Sequence, residues 1–379
     1  MPERLESSPP ARRPRPGRVE ILVVGLVALA LGVPVALSAH SSGPGVDAPR
    51  AQAGTGLATP VHDAGFAAGS GLAGRSEADL ARELEGMAAT GAQQLRFDLD
   101  WSYLEPEPGR FRWSAVDRVV AGARACGLDV VALLTYSPEW ARVPGTTEHA
   151  PPRDAADFAG FVTEAVRRYE PDGVDTWEIW NEPNIDVFWE PAPDPAAYAG
   201  LLAAAYAAVK AVDPDATVIT GGLAPAADEP DGSGISPVTF LDDVYAAGGG
   251  GNFDAVGHHP YAFPALPLDG RGLDNAFAGV TPRLYDLMVT NGDGDKPIWG
   301  TEMGAPTGAD GVTADFLAEY ATVAYDAWRA WPFTGPLLWY TYRDAGRDLD
   351  DPEDNFGLVN FAYRPKEPAL SAFEAVIRS

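Results

Sequence analysis

The stretch Trp177-Glu178-Ile179-Trp180-Asn181-Glu182-Pro183-Asn184 runs an aromatic, β-branched strand straight into an Asn-Glu-Pro turn. Aromatic and β-branched residues favour a pleated, covered surface and proline cannot continue one, so Glu182 stands at a strand end. A second run, Pro297-Ile298-Trp299-Gly300-Thr301-Glu302, also ends on a carboxylate. Outward from these two, the chain after residue 60 alternates short apolar runs with amphipathic segments, the pattern of β-α units around a parallel sheet. The strand expectations are residues 64–68, 94–98, 129–135, 174–180, 217–221, 253–258, 297–301 and 336–340.

The segments between them carry helix signals. Ser76 with Asp79 reads as a capping box ahead of an apolar face of Leu80, Leu84 and Met87, and Gly91 closes it. Ser114 with Asp117 repeats the signal before Val116, Val120 and Ala123, and Gly127 stops that helix. Asp194-Pro195 and Thr281-Pro282 each offer a cap and a first-turn proline, Phe316, Tyr320 and Val323 form a later stripe, and Leu370, Phe373 and Ile377 close the outer ring. These stripes are core packing. Eight units in about 320 residues predict a single (β/α)8 barrel over residues 60–379, a fold that places its chemistry at the carboxyl ends of its strands, where both glutamates fall.

With 54 acidic and 27 basic side chains in 379 residues the formal charge is −27, which repels nucleic acid and anionic lipid and keeps an exported surface solvated. The single cysteine, Cys126, sits near Val119, Val120 and Ala123 and reads as a small core residue. Arg12, Arg13, Arg15 and Arg18 precede an uncharged apolar run over residues 21–38, so residues 1–40 are expected to be a signal peptide or signal anchor. The arginines stay inside, the remainder is delivered outside the cytoplasmic membrane, secreted or tethered through 21–38, and the Gly-, Ala-, Pro- and Ser-rich residues 41–59 form a flexible linker.

Breaking a glycosidic bond calls for one carboxylic acid to protonate the leaving oxygen and a second carboxylate to attack or to direct water. Glu182 and Glu302 are the candidates, each flanked by aromatic residues. Trp-Asn-Glu-Pro at the fourth strand with a glutamate on the seventh resembles the clan A retaining glycoside hydrolases, in particular families 39 and 5 (cellulase-like). The likeness extends to Arg96-Phe-Asp98-Leu-Asp100-Trp101 with Glu105-Pro106, Gly109, Phe111 and Trp113, to Tyr136-Ser-Pro138-Glu-Trp140-Ala, to His258-His259-Pro260-Tyr261 and to Trp339. It implies a (β/α)8 fold, Glu182 as acid/base and Glu302 as nucleophile. It further implies Asn181 on the 2-hydroxyl of the sugar, Arg96 and Tyr261 holding the nucleophile ionised, His259 lining the same subsite and Trp339 as the floor beneath the sugar. Tyr136 joins the sugar-binding set; it stands where many family 5 members carry histidine, which favours a family 39-like or unclassified subgroup.

Blander readings stand beside these. Arg96 could pair with Asp98 or Asp100, and Trp140, Trp180, Trp189 and Trp299 read as packing. His258 and His259 complete no metal-ligand pattern, and neither metal nor cofactor is called for. The acidic stretch 344–354 is a solvated loop that borders the cleft rather than a calcium loop. The expected partner is a carbohydrate of an extracellular or cell-wall poly- or oligosaccharide. A transglycosylase of the same fold and a non-catalytic glycan-binding barrel are the rival functions; the presence of both carboxylates counts against the second.

Overall fold

The computed structural model describes residues 63–270 and 275–379. The expected export segment 1–40 with its apolar run 21–38, and the linker 41–59, lie outside the described residues.

Eight strands form one parallel sheet: β1 (Ala64–Ala67), β2 (Gln94–Asp100), β3 (Asp129–Thr135), β4 (Thr176–Asn181), β5 (Thr217–Gly222), β6 (Val256–His258), β7 (Ile298–Met303) and β8 (Thr334–Tyr340). Their order is β5-β4-β3-β2-β1-β8-β7-β6. Parallel bridges Ile219↔Ala255 and Leu223↔His258 join the two edges, so the sheet curls into a nearly closed barrel. The helices follow as α1 (Glu77–Thr90), the short α2 (Trp101–Leu104), α3 (Ser114–Ala125), α4 (Ala155–Tyr169), α5 (Pro195–Val212), α6 (Pro237–Ala246), α7 (Thr281–Thr290), α8 (Ala314–Ala330) and α9 (Ala369–Ile377). All eight expected strands are present, β3 with the expected bounds and the others with a boundary moved by one to three residues.

Local chemistry explains most of the termini. Ser76 Oγ accepts from the Asp79 amide at 3.1 Å and donates to its carboxylate at 2.8 Å, and Gly91 ends α1 at φ 99°. Asp194 accepts from the amides of Ala196 and Ala197 ahead of Pro195. Two expected caps are corrected. Ser114 is already inside α3, whose cap is Trp113, because the Asp117 carboxylate is taken by Arg168 and Tyr169 of α4. Thr281 does not cap α7: a π-helical turn, Ala276–Val280, precedes it, and Asn275 caps that turn through the Ala278 amide. The buried stripe of α8 is Leu317, Tyr320, Ala321, Ala324, Tyr325 and Trp328, with Phe316 and Val323 at its margins.

Alternation along the strands splits the core in two. Leu95, Phe97 and Leu99 of β2 face the helices, whereas Ala67, Val131, Ile219, Ala255, Leu338, Tyr340 and Phe356 form a smaller cluster inside and above the barrel. Arg96 and Asp98, on the opposite parity to Leu95, Phe97 and Leu99, therefore point inward.

Candidate active site

Arg96 of β2 organises the interior. Its Nε and Nη2 donate to the two oxygens of Glu178 on β4, Nη1 donates to Glu302 Oε1 on β7, and Nη2 also reaches Asn181 Oδ1 at 2.9 Å. The alternative pairing with Asp98 or Asp100 is not adopted. Glu178 accepts two further bonds, from the Gly222 amide at 2.8 Å and from Thr301 Oγ1 at 3.1 Å, which spans the barrel from β7. A buried carboxylate with four donors is a structural anchor, and it fixes the guanidinium so that one nitrogen remains for Glu302.

Backbone irregularity aims both catalytic candidates. Glu178 faces inward, so strict alternation would send Trp180 inward too; instead Trp180 takes φ 70° and packs outward on Phe158 and Trp189, its Nε1 donating to Phe188 O at 2.7 Å. Glu182 follows at φ 43° and bonds the Gly222 carbonyl through its amide. Left-handed backbone at bulky residues is costly and persists where surrounding contacts over-determine it. On β7 the register to β8 slips between Gly300 and Met303, and this bulge lets Thr301 and Glu302 both face the interior.

Glu302 Oε2 accepts from the Tyr261 hydroxyl at 3.0 Å. His259 Nδ1 lies 2.8 Å from Glu182 Oε1 and 3.8 Å from Glu302 Oε2. Those two oxygens can therefore be no further apart than about 6.6 Å, the two distances laid end to end. The environments push the two acids in opposite directions. Burial raises the Glu182 pKa, helped by the charge of Glu302 and opposed by His259. Burial also acts to raise Glu302, but His259, Arg96 and Tyr261 together outweigh it and hold Glu302 below the ordinary carboxylate range.

Of the expected site residues, Arg96, Asn181, Glu182, His259, Tyr261 and Glu302 form one connected set. Tyr136 is buried beside it at φ 65°, its ring against His149 and Trp180 and its hydroxyl under the charges of Glu182 and Glu302. Trp339 is corrected. It is 0% exposed, on the helix-facing side of β8, with Tyr320 of α8 and Phe373 of α9 at 6.1 and 5.8 Å, so it is no floor for a sugar. The next residue, Tyr340, has the inward parity, packs on Phe356 at 5.3 Å and offers its hydroxyl to Glu353 at 3.4 Å. Tyr340, Glu178 and Glu353 are site residues to which sequence reasoning gave no role, and Asp98 entered it only as a counter-charge; parity relative to Arg96 could have flagged Asp98 as facing the interior. Trp140, Trp180 and Trp189 are packing, as expected, and His258 is buried between the carbonyls of Leu223 and Ala276.

No protein-family model and no curated protein matches the chain. Among solved structures it is similar to a family 39 glycoside hydrolase from the gut symbiont Bacteroides cellulosilyticus WH2, with TM-score 0.66 and 24% identity over 84% of this chain and 64% of that one. The chain thus spans just under two thirds of that protein's length. It is also similar to a monomeric beta-xylosidase from Caulobacter crescentus CB15, with TM-score 0.63, 21% identity, 84% of this chain and 69% of that one. A GH39 enzyme from Xanthomonas axonopodis pv. citri matches with TM-score 0.64 and 20% identity over 84% and 67% of the respective chains. At these identities the comparisons establish a shared barrel fold.

Proposed function

We propose that the protein is a retaining glycoside hydrolase that cleaves O-glycosidic bonds of an extracellular or cell-wall saccharide by double displacement. Glu302 attacks the anomeric carbon, Glu182 gives its proton to the leaving oxygen, and the resulting glycosyl ester is hydrolysed by water that Glu182 then deprotonates. The observation that carries this reading is the pair itself: two carboxyls within reach of one imidazole, one held ionised and the other pushed toward its protonated form. The bound of about 6.6 Å on their nearest oxygens suits the separation of roughly 5–5.5 Å in retaining enzymes and falls at the lower edge of the roughly 6.5–9.5 Å of inverting ones. With Asn181 Oδ1 on Arg96, its amide NH2 is left for the sugar's 2-hydroxyl. The glycoside hydrolase fold neighbours support the same class.

Proton NMR of the first-formed product tests it: retained anomeric configuration is expected, and inversion overturns the nucleophile role of Glu302. Glu302→Gln should abolish turnover of 4-nitrophenyl glycosides, whereas Glu182→Ala should keep the first step on such good leaving groups and form a glycosyl azide when azide is added. Added acceptor sugar distinguishes hydrolysis from transglycosylation. We further propose that residues 1–40 export the barrel, leaving it released or tethered through 21–38; recovery of the full-length chain from the host cytosol would refute this.

A further inference from the structure

The barrel mouth holds a buried carboxyl that double displacement leaves unused. Asp98 lies two residues beyond Arg96 on β2, so it faces inward one pleat, about 6.6 Å, nearer the mouth. It is only 9% exposed, yet no described residue donates a hydrogen bond to it. Other carboxyls of β2, β4 and the turn after β2 are served: Asp100 by Ser102 and Tyr103, Glu105 by Trp101 and Gly109, and Glu178 by four donors. The oxygens of Asp98 are not among the fully enclosed polar atoms, so they open on the cleft, where a ligand can bring the donor that the protein does not supply.

The groups around it define what that ligand is. Arg96 and Asp100 of β2, Glu178 of β4 and Glu302 of β7 act on Asp98, and its charge is felt by Tyr136 beyond β3 and Tyr340 at the end of β8. Burial, aided by the neighbouring acids and opposed by Arg96, pushes its pKa up to about 7, so near neutrality it both donates and accepts. From the loop after β8, Glu353 adds another such group. Its Oε1 is buried without a partner, and burial with the charges of Glu302 and Glu182 pushes it to about 8. Arg96 and His259, the cations of this set, are already engaged by Glu178, Glu302 and Glu182.

We propose that Asp98 is a specificity-determining residue: it hydrogen-bonds a hydroxyl of the sugar whose anomeric carbon meets Glu302, and the ring of acids around it admits an uncharged sugar and rejects a uronate. The inference rests on reading the cleft as a sugar site, but binding tests it without turnover. The full chain, Asp98→Asn and Asp98→Ala are titrated calorimetrically with the methyl β-glycosides of xylose, glucose, mannose, galactose and glucuronic acid, and 4-nitrophenyl glycosides are assayed separately. The wild type is expected to bind at least one neutral glycoside and to bind the glucuronide at least tenfold more weakly. Asp98→Ala should weaken the neutral sugar tenfold or more, and Asp98→Asn, which keeps a donor and an acceptor, by no more than about threefold. Because the carboxyl has no protein partner to lose, Asp98→Ala should melt at or above the wild-type temperature. Unchanged binding in Asp98→Ala, a clear drop in its melting temperature, or preference for the glucuronide overturns the proposal. Binding that follows the expected pattern without any turnover leaves it standing and removes the glycosidase reading, whereas no binding of any of the five removes both.

Discussion

Replacing Arg96 by methionine, similar in length and uncharged, tests how Glu302, the proposed nucleophile, is prepared. The change deletes four hydrogen bonds at a fully enclosed position: two to Glu178, one to Glu302 and one to Asn181. Breaking a buried ion pair costs about 3–5 kcal/mol of stability, since the partner carboxylates keep their desolvation without their counter-charge. The catalytic share is smaller. A hydrogen bond to a charged group is worth about 1.5–3 kcal/mol, so the loss at Glu302 should lower kcat/KM by about 10- to 150-fold. The direction with pH follows from Glu302: burial acts to raise its pKa, and His259, Arg96 and Tyr261 hold it down. Without Arg96 the pKa rises, and the acid limb of kcat/KM moves to higher pH. Stability has a matching sign. A depressed carboxylate stabilises the fold above its unfolded pKa and loses that contribution as pH falls through the folded value, so the melting deficit of the variant should be largest near neutrality and narrow on acidification. The assay is kcat/KM against pH on a 4-nitrophenyl glycoside, with thermal melts at each pH. A variant within threefold of wild type with an unmoved acid limb would refute the reasoning, as would full recovery by Arg96→Lys, whose ammonium cannot make the same four bonds.

Trp339→Ala should cost about 3–5 kcal/mol of stability through the cavity left between Tyr320 and Phe373, while kcat/KM of the folded enzyme stays within threefold; a large catalytic loss without a melting change would return the ring to the sugar site. Tyr340→Ala should lower kcat/KM at least tenfold, read by steady-state kinetics, beside a loss of stability from its packing on Phe356. Ser76→Ala should lose about 1 kcal/mol by removing the α1 cap, a drop of about 2 °C in Tm by calorimetry.

The eight strands were legible because each is a short apolar run ended by a cap or turn signal, a pattern that survives without any tertiary information. What each strand does with its faces was harder. Leu337-Leu338-Trp339-Tyr340 is apolar on every residue because β8 is covered on both sides, so parity is invisible along it; pairing with Phe66 of β1 and Met303 of β7 sets it and turns Trp339 outward. Glu182 and Glu302 were found by residue type at strand ends, yet their aim depends on the left-handed Trp180 and on the β7 bulge, which come from packing against α4 and β8. The false cap at Ser114 failed for a similar reason: Asp117 is claimed by Arg168, 51 residues away. Asp98 was weighed only as a counter-charge, and Glu178 outcompeted it with two well-placed oxygens.

Glu182, the proposed acid/base, is pinned by backbone: its amide bonds the Gly222 carbonyl, the Gly222 amide bonds Glu178, and the His259 amide bonds the Leu223 carbonyl. A side chain at Gly222 would place its Cβ 2.1 Å from His259 Nε2 and 2.5 Å from Thr301 Oγ1, so the imidazole that touches both acids sits where it does only because residue 222 is glycine. These groups lie on β4 and β5 and just past the carboxyl ends of β4, β5 and β6, tied by bonds between neighbouring strands. Asp98, Tyr340 with its one long bond, and Glu353 with Oε1 unpartnered stand on β2, at the end of β8 and on the loop after it, while among the chemical groups His259 Nε2 is likewise buried without a partner. Chemistry held by paired strands and selection carried by a strand end and a loop can vary separately. Substitutions in residues 344–352 should therefore change which sugar is accepted while leaving the opposed ionisation of Glu182 and Glu302 intact, because Arg96, His259 and Tyr261, which set it, take no bond from that loop, whereas Glu353 exchanges charge interactions with both acids.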